Sequence, residues 1–302
     1  MAELRSSAAS RADSAVRAVS VVAPLRHRLK QIIAAHPTDS EVTTPMISTK
    51  TPAPDAALSP RGALRWFEIR RILADINPAS ILEIGCGMGA VGTRLARVAS
   101  YTAVEPDERS FTAAKERVTP VGGTVLHGDH TALPAGAEYD LVCAFEVLEH
   151  IADDADALDH WLPLVRPGGH LLLSVPADPD RFGPSDVLVG HYRRYTAEEL
   201  TLRLQEAGVT ELKVVHYAWP LGYVLDSIRD RIADRRTGDA SDVPEQRSSR
   251  SGRFLQPSGA IARRGIEAAV YPWAVLQRRR PDRGSGLIAI AIRPAEALHK
   301  VD

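Results

Sequence analysis

Cysteine is nearly missing from this sequence, which holds only Cys86 and Cys143. Two isolated thiols supply neither the paired spacing of a zinc site nor the framework of a disulfide-stapled domain, so a reducing, cytoplasmic setting is expected. Long apolar runs are absent as well. No stretch approaches the roughly 18 consecutive apolar residues of a membrane-spanning helix, and the N-terminus lacks the apolar core of a secretory signal. An excess of one charge is also missing: 37 Lys and Arg stand against 38 Asp and Glu, a formal net charge of -1. The chain as a whole therefore carries no field that would draw in nucleic acid, and none is expected as a partner. What is present is 44% hydrophobic content over 302 residues, enough to bury one large domain with appendages.

The texture changes along the chain. Residues 1–55 are rich in Ser, Ala, Thr and Pro with scattered Arg, a composition that buries too little apolar surface to offset its ordering entropy. A mostly disordered arm is expected there, with one amphipathic helix possible in "VVAPLRHRLKQIIAAH". Residues 56–218 alternate helical and strand patterns. The helical "RGALRWFEIRRILADI" stops at "NP". Five short apolar runs of strand length follow: "ILEIG", "YTAVEP", "GTVLHGD", "YDLVCAF" and "HLLLSVP". Between and after them lie the helical candidates "AVGTRLARVA", "ERSFTAAKERV", "DADALDHWLPLV" and "TAEELTLRLQEAG". Strands separated by helices of this length require right-handed crossovers, hence a doubly wound α/β sheet.

Such a sheet binds ligands beyond the carboxyl ends of its strands. After the first strand come Gly85, Gly87 and Gly89, and after the second comes Glu105, a carboxylate able to accept both hydroxyls of a ribose. "GCGMGA" satisfies the glycine pattern of dinucleotide sites literally, so these residues alone leave NAD and other adenosine cofactors open. Glu83, inside the first strand, separates them. A buried carboxylate there would repel a pyrophosphate and hold an ammonium group. Asp129 after the third strand could accept from an adenine amine, and "FEVLEHI" puts Glu146, Glu149 and His150 at the mouth of the sheet. Acidic walls suit a cationic nucleoside without phosphates.

In their order, "ILEIGCGMGAVGTRLA", "VEPDERSFTAAKERV", "HGDHTALP", "YDLVCAFEVLEHI" and "LVRPGGHLLLSVP" resemble the motifs of class I S-adenosylmethionine-dependent methyltransferases over roughly residues 60–218. The resemblance implies a seven-stranded Rossmann-like sheet with its last strand inserted antiparallel, the final hairpin drawn from "ELKVVHYA" and "SGLIAIAIRP". It implies S-adenosyl-L-methionine as cofactor. Gly85 and Gly87 would face its methionine and ribose, Glu105 the ribose hydroxyls, Asp129 the adenine amine, Pro106 the adenine ring and Glu83 the amino end. Cys86, Gly89, His130, Phe145 and Glu146 complete that expected set. "EVLEH" also resembles a segment of ubiquinone-biosynthesis O-methyltransferases in which two carboxylates and a histidine hold magnesium. Glu146, Glu149 and His150 match it; packing of a helix start is the other account of the same letters.

Methyl transfer from a sulfonium needs alignment and, for a hydroxyl acceptor, removal of a proton. His150 and "GHYRRYT" are the candidates on the acceptor side. His191 is the expected general base, and Tyr192, Arg194 and Tyr195 are the expected acceptor contacts. Thr196 is expected to cap the next helix with Glu199. Residues 219–284 are longer than the connection this family needs. Between Asp226 and Arg283 they hold thirteen arginines against eight acids. Two helices around a basic spacer would form a lid, a partner surface or a peripheral membrane contact, with 285–302 returning to the sheet. The expected function is methyl transfer to a small-molecule acceptor, O-methylation favoured. A NAD-dependent oxidoreductase and a non-catalytic cofactor-binding regulator are the alternatives.

Overall fold

The computed structural model describes residues 56–237 and 260–295. The arm expected over 1–55, its candidate helix, most of the basic spacer and the last residues lie outside them. Helix α1 (Pro60–Ile76) starts where Ser59 Oγ accepts from the Gly62 amide at 3.1 Å, and ends at Asn77, whose left-handed φ of 43° precedes Pro78. Leu64, Phe67, Ile69 and Leu73 form its buried stripe.

The chain then runs through β1 (Ser80–Ile84), the short α2 (Gly92–Leu95), β2 (Ser100–Glu105), α3 (Glu108–Val118), β3 (Thr124–His127), β4 (Tyr139–Phe145), α4 (Asp154–Trp161) and β5 (Val165–Pro176). It continues through α5 (Pro184–Val189), α6 (Ala197–Glu206), β6 (Thr210–Tyr217), α7 (Leu221–Thr237), α8 (Ala260–Leu276) and β7 (Gly286–Ile292). Thr196 caps α6 in a reciprocal box with Glu199, as its sequence implies. The expected helix over "AVGTRLARVA" shrinks to the single turn of α2. Its residues are spent on packing: Thr93, Arg94 and Leu95 are all buried, and a Cβ at Gly92 would sit 2.4 Å from the Tyr101 hydroxyl.

Among the described residues the sheet has seven strands in the order β3-β2-β1-β4-β5-β7-β6. Strands β1 to β5 pair in parallel, while β7 pairs antiparallel with both β5 and β6. The antiparallel last strand is thus inserted as expected, and both candidate segments are used. Strand order reverses between β1 and β4, which opens a crevice at their carboxyl ends. Alternation along β1 sends Leu82 and Ile84 to one face of the sheet, and Ile81 and Glu83 to the other. Helix α8 packs on α1, and α7 packs on α5. No helix among the described residues is long and apolar enough to cross a membrane.

Candidate active site

A cavity of about 250 Å³ opens at the switch point. One wall is the loop after β1, where Gly85, Gly87 and Gly89 all take positive φ, but for different reasons. A Cβ on Gly85 would lie 2.7 Å from Val147, and one on Gly89 would lie 3.0 Å from the Ala114 backbone. A Cβ on Gly87 would meet nothing; its amide donates to Glu105 at 2.7 Å. Two glycines therefore admit the chain's own packing and the middle one keeps the cavity open. Glu105 also accepts from the Asp107 amide at 3.0 Å. Burial pushes its carboxyl up, with the two amides pulling back.

Glu83 lines the same cavity and is 2% exposed. It accepts from the Tyr101 hydroxyl at 2.5 Å. Burial raises its carboxyl to about 7 against the pull of that hydroxyl and of Arg65. Cys86 and Phe145 line the cavity too, the first with its thiol pushed well up by burial. Asp129, Pro106 and His130 sit apart, at the β2 and β3 ends. Asp129 is exposed and accepts from the Thr131 amide at 2.9 Å and hydroxyl at 2.7 Å, bonds that lower its pKa. Pro106 offers its carbonyl to His127 at 3.1 Å, and the His130 ring lies 4.9 Å from that of His160.

Glu146 forms the opposite wall with a backbone φ of 59°, a strained value for a non-glycine residue that costs about 1–3 kcal/mol. It is held there by four side chains. Ser174 donates at 3.2 Å, Tyr217 donates at 3.0 Å, and Arg65 and Arg61 approach to 3.2 and 3.7 Å. Burial alone would raise its carboxyl, but the two arginines hold it down at about 2. Arg61 also pairs with Asp226 at 2.7 Å. These arginines went unread in the sequence, although their i,i+4 spacing on α1 puts them on one side of that helix.

His191 also lines the cavity. Its Nδ1 meets Asp186 Oδ1 at 2.7 Å and its Nε2 lies 3.7 Å from Glu149. Asp186 in turn accepts from Arg194 at 2.9 Å, and burial's upward push on its carboxyl is overcome by His191 and Arg194. Arg194 and Tyr195, expected to touch the acceptor, do not reach the cavity. Arg194 is consumed by Asp186 and Asp226, while Tyr195 is buried and donates to Asp154 at 2.9 Å. Tyr192 is 62% exposed, and its amide donates to the Glu149 carbonyl.

The magnesium set read from "EVLEH" does not assemble, because Glu146 turns to the arginines. Glu149, His150 and His191 converge instead, with ligand atoms within 4.8 Å of one another. Glu149 is fully buried, and neither carboxylate oxygen has a hydrogen-bond partner. Burial and then Glu146 push its carboxyl well up. His150 is lowered to about 4 by burial and by His191.

The sequence matches a family model described as a methyltransferase domain over residues 63–214. It is 34% identical over 134 residues to a "Probable S-adenosylmethionine-dependent methyltransferase" of Mycolicibacterium smegmatis, covering 42% of this chain and 51% of that protein. It is 36% identical over 94 residues to a ubiquinone biosynthesis O-methyltransferase of a Methylobacterium species, covering 30% and 38%. The chain thus spans about half or less of the length of these two relatives. A Mycobacterium tuberculosis protein, also named a probable S-adenosylmethionine-dependent methyltransferase, is 27% identical over 241 residues, covering 76% and 84%. Among solved structures, the cyclase SpnF shares the fold with a TM-score of 0.51 at 17% identity, covering 78% of this chain and 82% of that one. None of these supports the oxidoreductase alternative. With half of its length matched by the family model and the sheet order in agreement, the chain belongs to the methyltransferase domain family.

Proposed function

We propose that the protein transfers a methyl group from S-adenosylmethionine to a hydroxyl of a small-molecule acceptor. One observation carries the reading: a single cavity joins Glu83, Arg65 and the open Gly87 to His191, whose ring is oriented by a buried aspartate. A carboxylate beside a guanidinium suits the amine and carboxylate ends of a methionine. Glu105 retains lone pairs for ribose hydroxyls, and Asp129 keeps a free oxygen for an adenine amine. The cofactor supplies an activated methyl, so the chain has to align the acceptor and remove its proton. With the proton of Nδ1 donated to Asp186, Nε2 of His191 is left as the acceptor that takes the hydroxyl proton. Equilibrium titration with S-adenosylhomocysteine and NADH, followed by turnover on an acceptor panel read as the mass of one methyl group, tests this. Cofactor binding with no turnover on metabolite or lipid extracts would favour the regulator instead.

A second reading rests on Glu149. Two imidazoles and a carboxylate with orphaned oxygens are a donor set for zinc, manganese or iron rather than magnesium, which prefers oxygen ligands. A cation held by Glu149, His150 and His191 would supply Lewis-acid polarisation of the acceptor oxygen. Full activity after chelation, with no metal in the purified protein, would remove this reading and leave His191 as base. Peripheral contact with an anionic membrane is supported by Tyr271 and Trp273, exposed on α8 near Arg279 and Arg280. No pelleting with anionic liposomes at low salt would end it.

A further inference from the structure

Of the arginines around the cavity, one has no acid in contact with it. Arg61 is matched by Asp226 and Glu146, Arg65 by Glu146, and Arg194 by Asp186 and Asp226. Arg229, from α7, lines the same cavity; among the described residues its guanidinium has no hydrogen bond or contact ion pair, and Asp226, Glu146 and Asp186 attract it only from farther off. Burial, and then the neighbouring charge of Arg61, lower its pKa. The nearby acids do not remedy this. Asp186 is in contact with Arg194 and His191, Glu146 with Arg61 and Arg65, and Asp226 with Arg61 through Oδ1, while its Oδ2 has no hydrogen bond and lies 3.6 Å from Arg194. A half-buried guanidinium with no counter-charge in contact is costly unless a ligand supplies one. Leu225 and Ile228, on the same helix, give the cavity an apolar flank beside it.

We infer that Arg229 is the specificity-determining residue for the acceptor, which carries an anionic group, a carboxylate or a phosphate, next to an apolar body. The inference rests on the methyltransferase reading of this cavity and narrows its acceptor. A guanidinium presents paired donors to either anion, which a neutral acceptor cannot satisfy. Its position on α7 explains what the long connection before the last strand adds to the minimal fold: a charged wall for the acceptor side.

The test uses the full chain and three small aromatic probes: benzoate, phenyl phosphate and the neutral benzamide. Wild type, Arg229→Gln and Arg229→Lys are first titrated with S-adenosylhomocysteine, then, loaded with it, with each probe. The expected result is that one or both anions bind more tightly than benzamide by about tenfold or more, the gain from a charged hydrogen bond. Arg229→Gln should abolish that preference at unchanged S-adenosylhomocysteine affinity, and Arg229→Lys should retain part of it. The stronger of the two anions identifies the group. Equal binding of benzamide and the anions by wild type, or an anion preference kept by Arg229→Gln, overturns the inference. Weakened S-adenosylhomocysteine binding in Arg229→Gln also overturns it, by assigning the arginine to the cofactor. Failure of wild type to bind S-adenosylhomocysteine at all sinks the parent reading, and this one with it.

Discussion

The two walls of the cavity are made of the same residue types under opposite electrostatics. On the wall proposed to hold the cofactor, the cofactor wall, Glu83 and, behind Gly87, Glu105 are buried with hydroxyl or amide donors, and desolvation pushes both carboxyls up. On the wall proposed to face the acceptor, the acceptor wall, Glu146 and, behind His191, Asp186 meet arginines and a histidine, and both are driven down despite burial. The first wall is built from a single strand-loop-strand unit. The second gathers α1, the end of β4, the segment after α5, and α7, with partners as far apart as Arg61 and Asp226, 165 residues away in sequence. A carboxylate's role here follows from what crosses the space in front of it, more than from its own position in the chain.

The largest effect expected is on the acceptor wall. Asp186→Asn should lower turnover by about 10²–10⁴-fold, the usual contribution of a positioned base, because His191 loses the partner that holds its tautomer. S-adenosylhomocysteine affinity, measured by calorimetry, should stay within about twofold if the walls act separately. An equal loss of cofactor affinity would erase the distinction between them.

Next comes Gly85→Ala, which combines a left-handed φ with a 2.7 Å approach to Val147. It should cost about 2–4 kcal/mol in denaturant unfolding and most cofactor binding. Gly87→Ala meets only the φ penalty, about 1–2 kcal/mol. Equal losses would show that packing under the loop is irrelevant.

Glu83→Gln probes the cofactor wall by pH. The folded-state carboxyl lies at about 7, above its ordinary 4.5. Its stabilising protonated form is thus complete below pH 4.5 and lost as pH rises through 7. The Gln variant, neutral throughout, should therefore be more stable than the unliganded wild type at pH 8 by about 2–3 kcal/mol, with the difference vanishing near pH 4. It should also bind S-adenosylhomocysteine more weakly. A wild type whose thermal midpoint tracks the variant's across that range would remove the buried-charge account.

Tyr195→Phe should cost about 1 kcal/mol of stability by removing one buried donor to Asp154, which keeps Arg193 and Arg203, without altering acceptor KM. Tyr192→Ala should fall within about 0.5 kcal/mol of wild type in stability.

The parallel strands and the glycine loop after β1 were legible because each rests on signals a few residues long. Apolar runs of strand length, glycines immediately after β1 and an acid at the end of β2 are readable without knowing what lies across the sheet. Helix α2 was overread because propensity does not record that Gly92 must lie against Tyr101. In "GHYRRYT" the donors were visible but their directions were not: successive residues of one short segment face the cavity at His191, solvent at Tyr192, and the interior at Arg194 and Tyr195. The magnesium set failed for the same reason, since nothing local in "EVLEH" announces that Glu146 turns back to α1.

By itself the sequence determined a doubly wound sheet and a glycine loop at its switch point, because periodicity and turn chemistry act over short range. Only the tertiary structure decided which charges meet: Glu146 with Arg61 and Arg65, His191 with Asp186, and Arg229 at the cavity with no acid in contact among the described residues. Coulomb and desolvation energies depend on distances through space, and the long-range contacts of the fold set those distances.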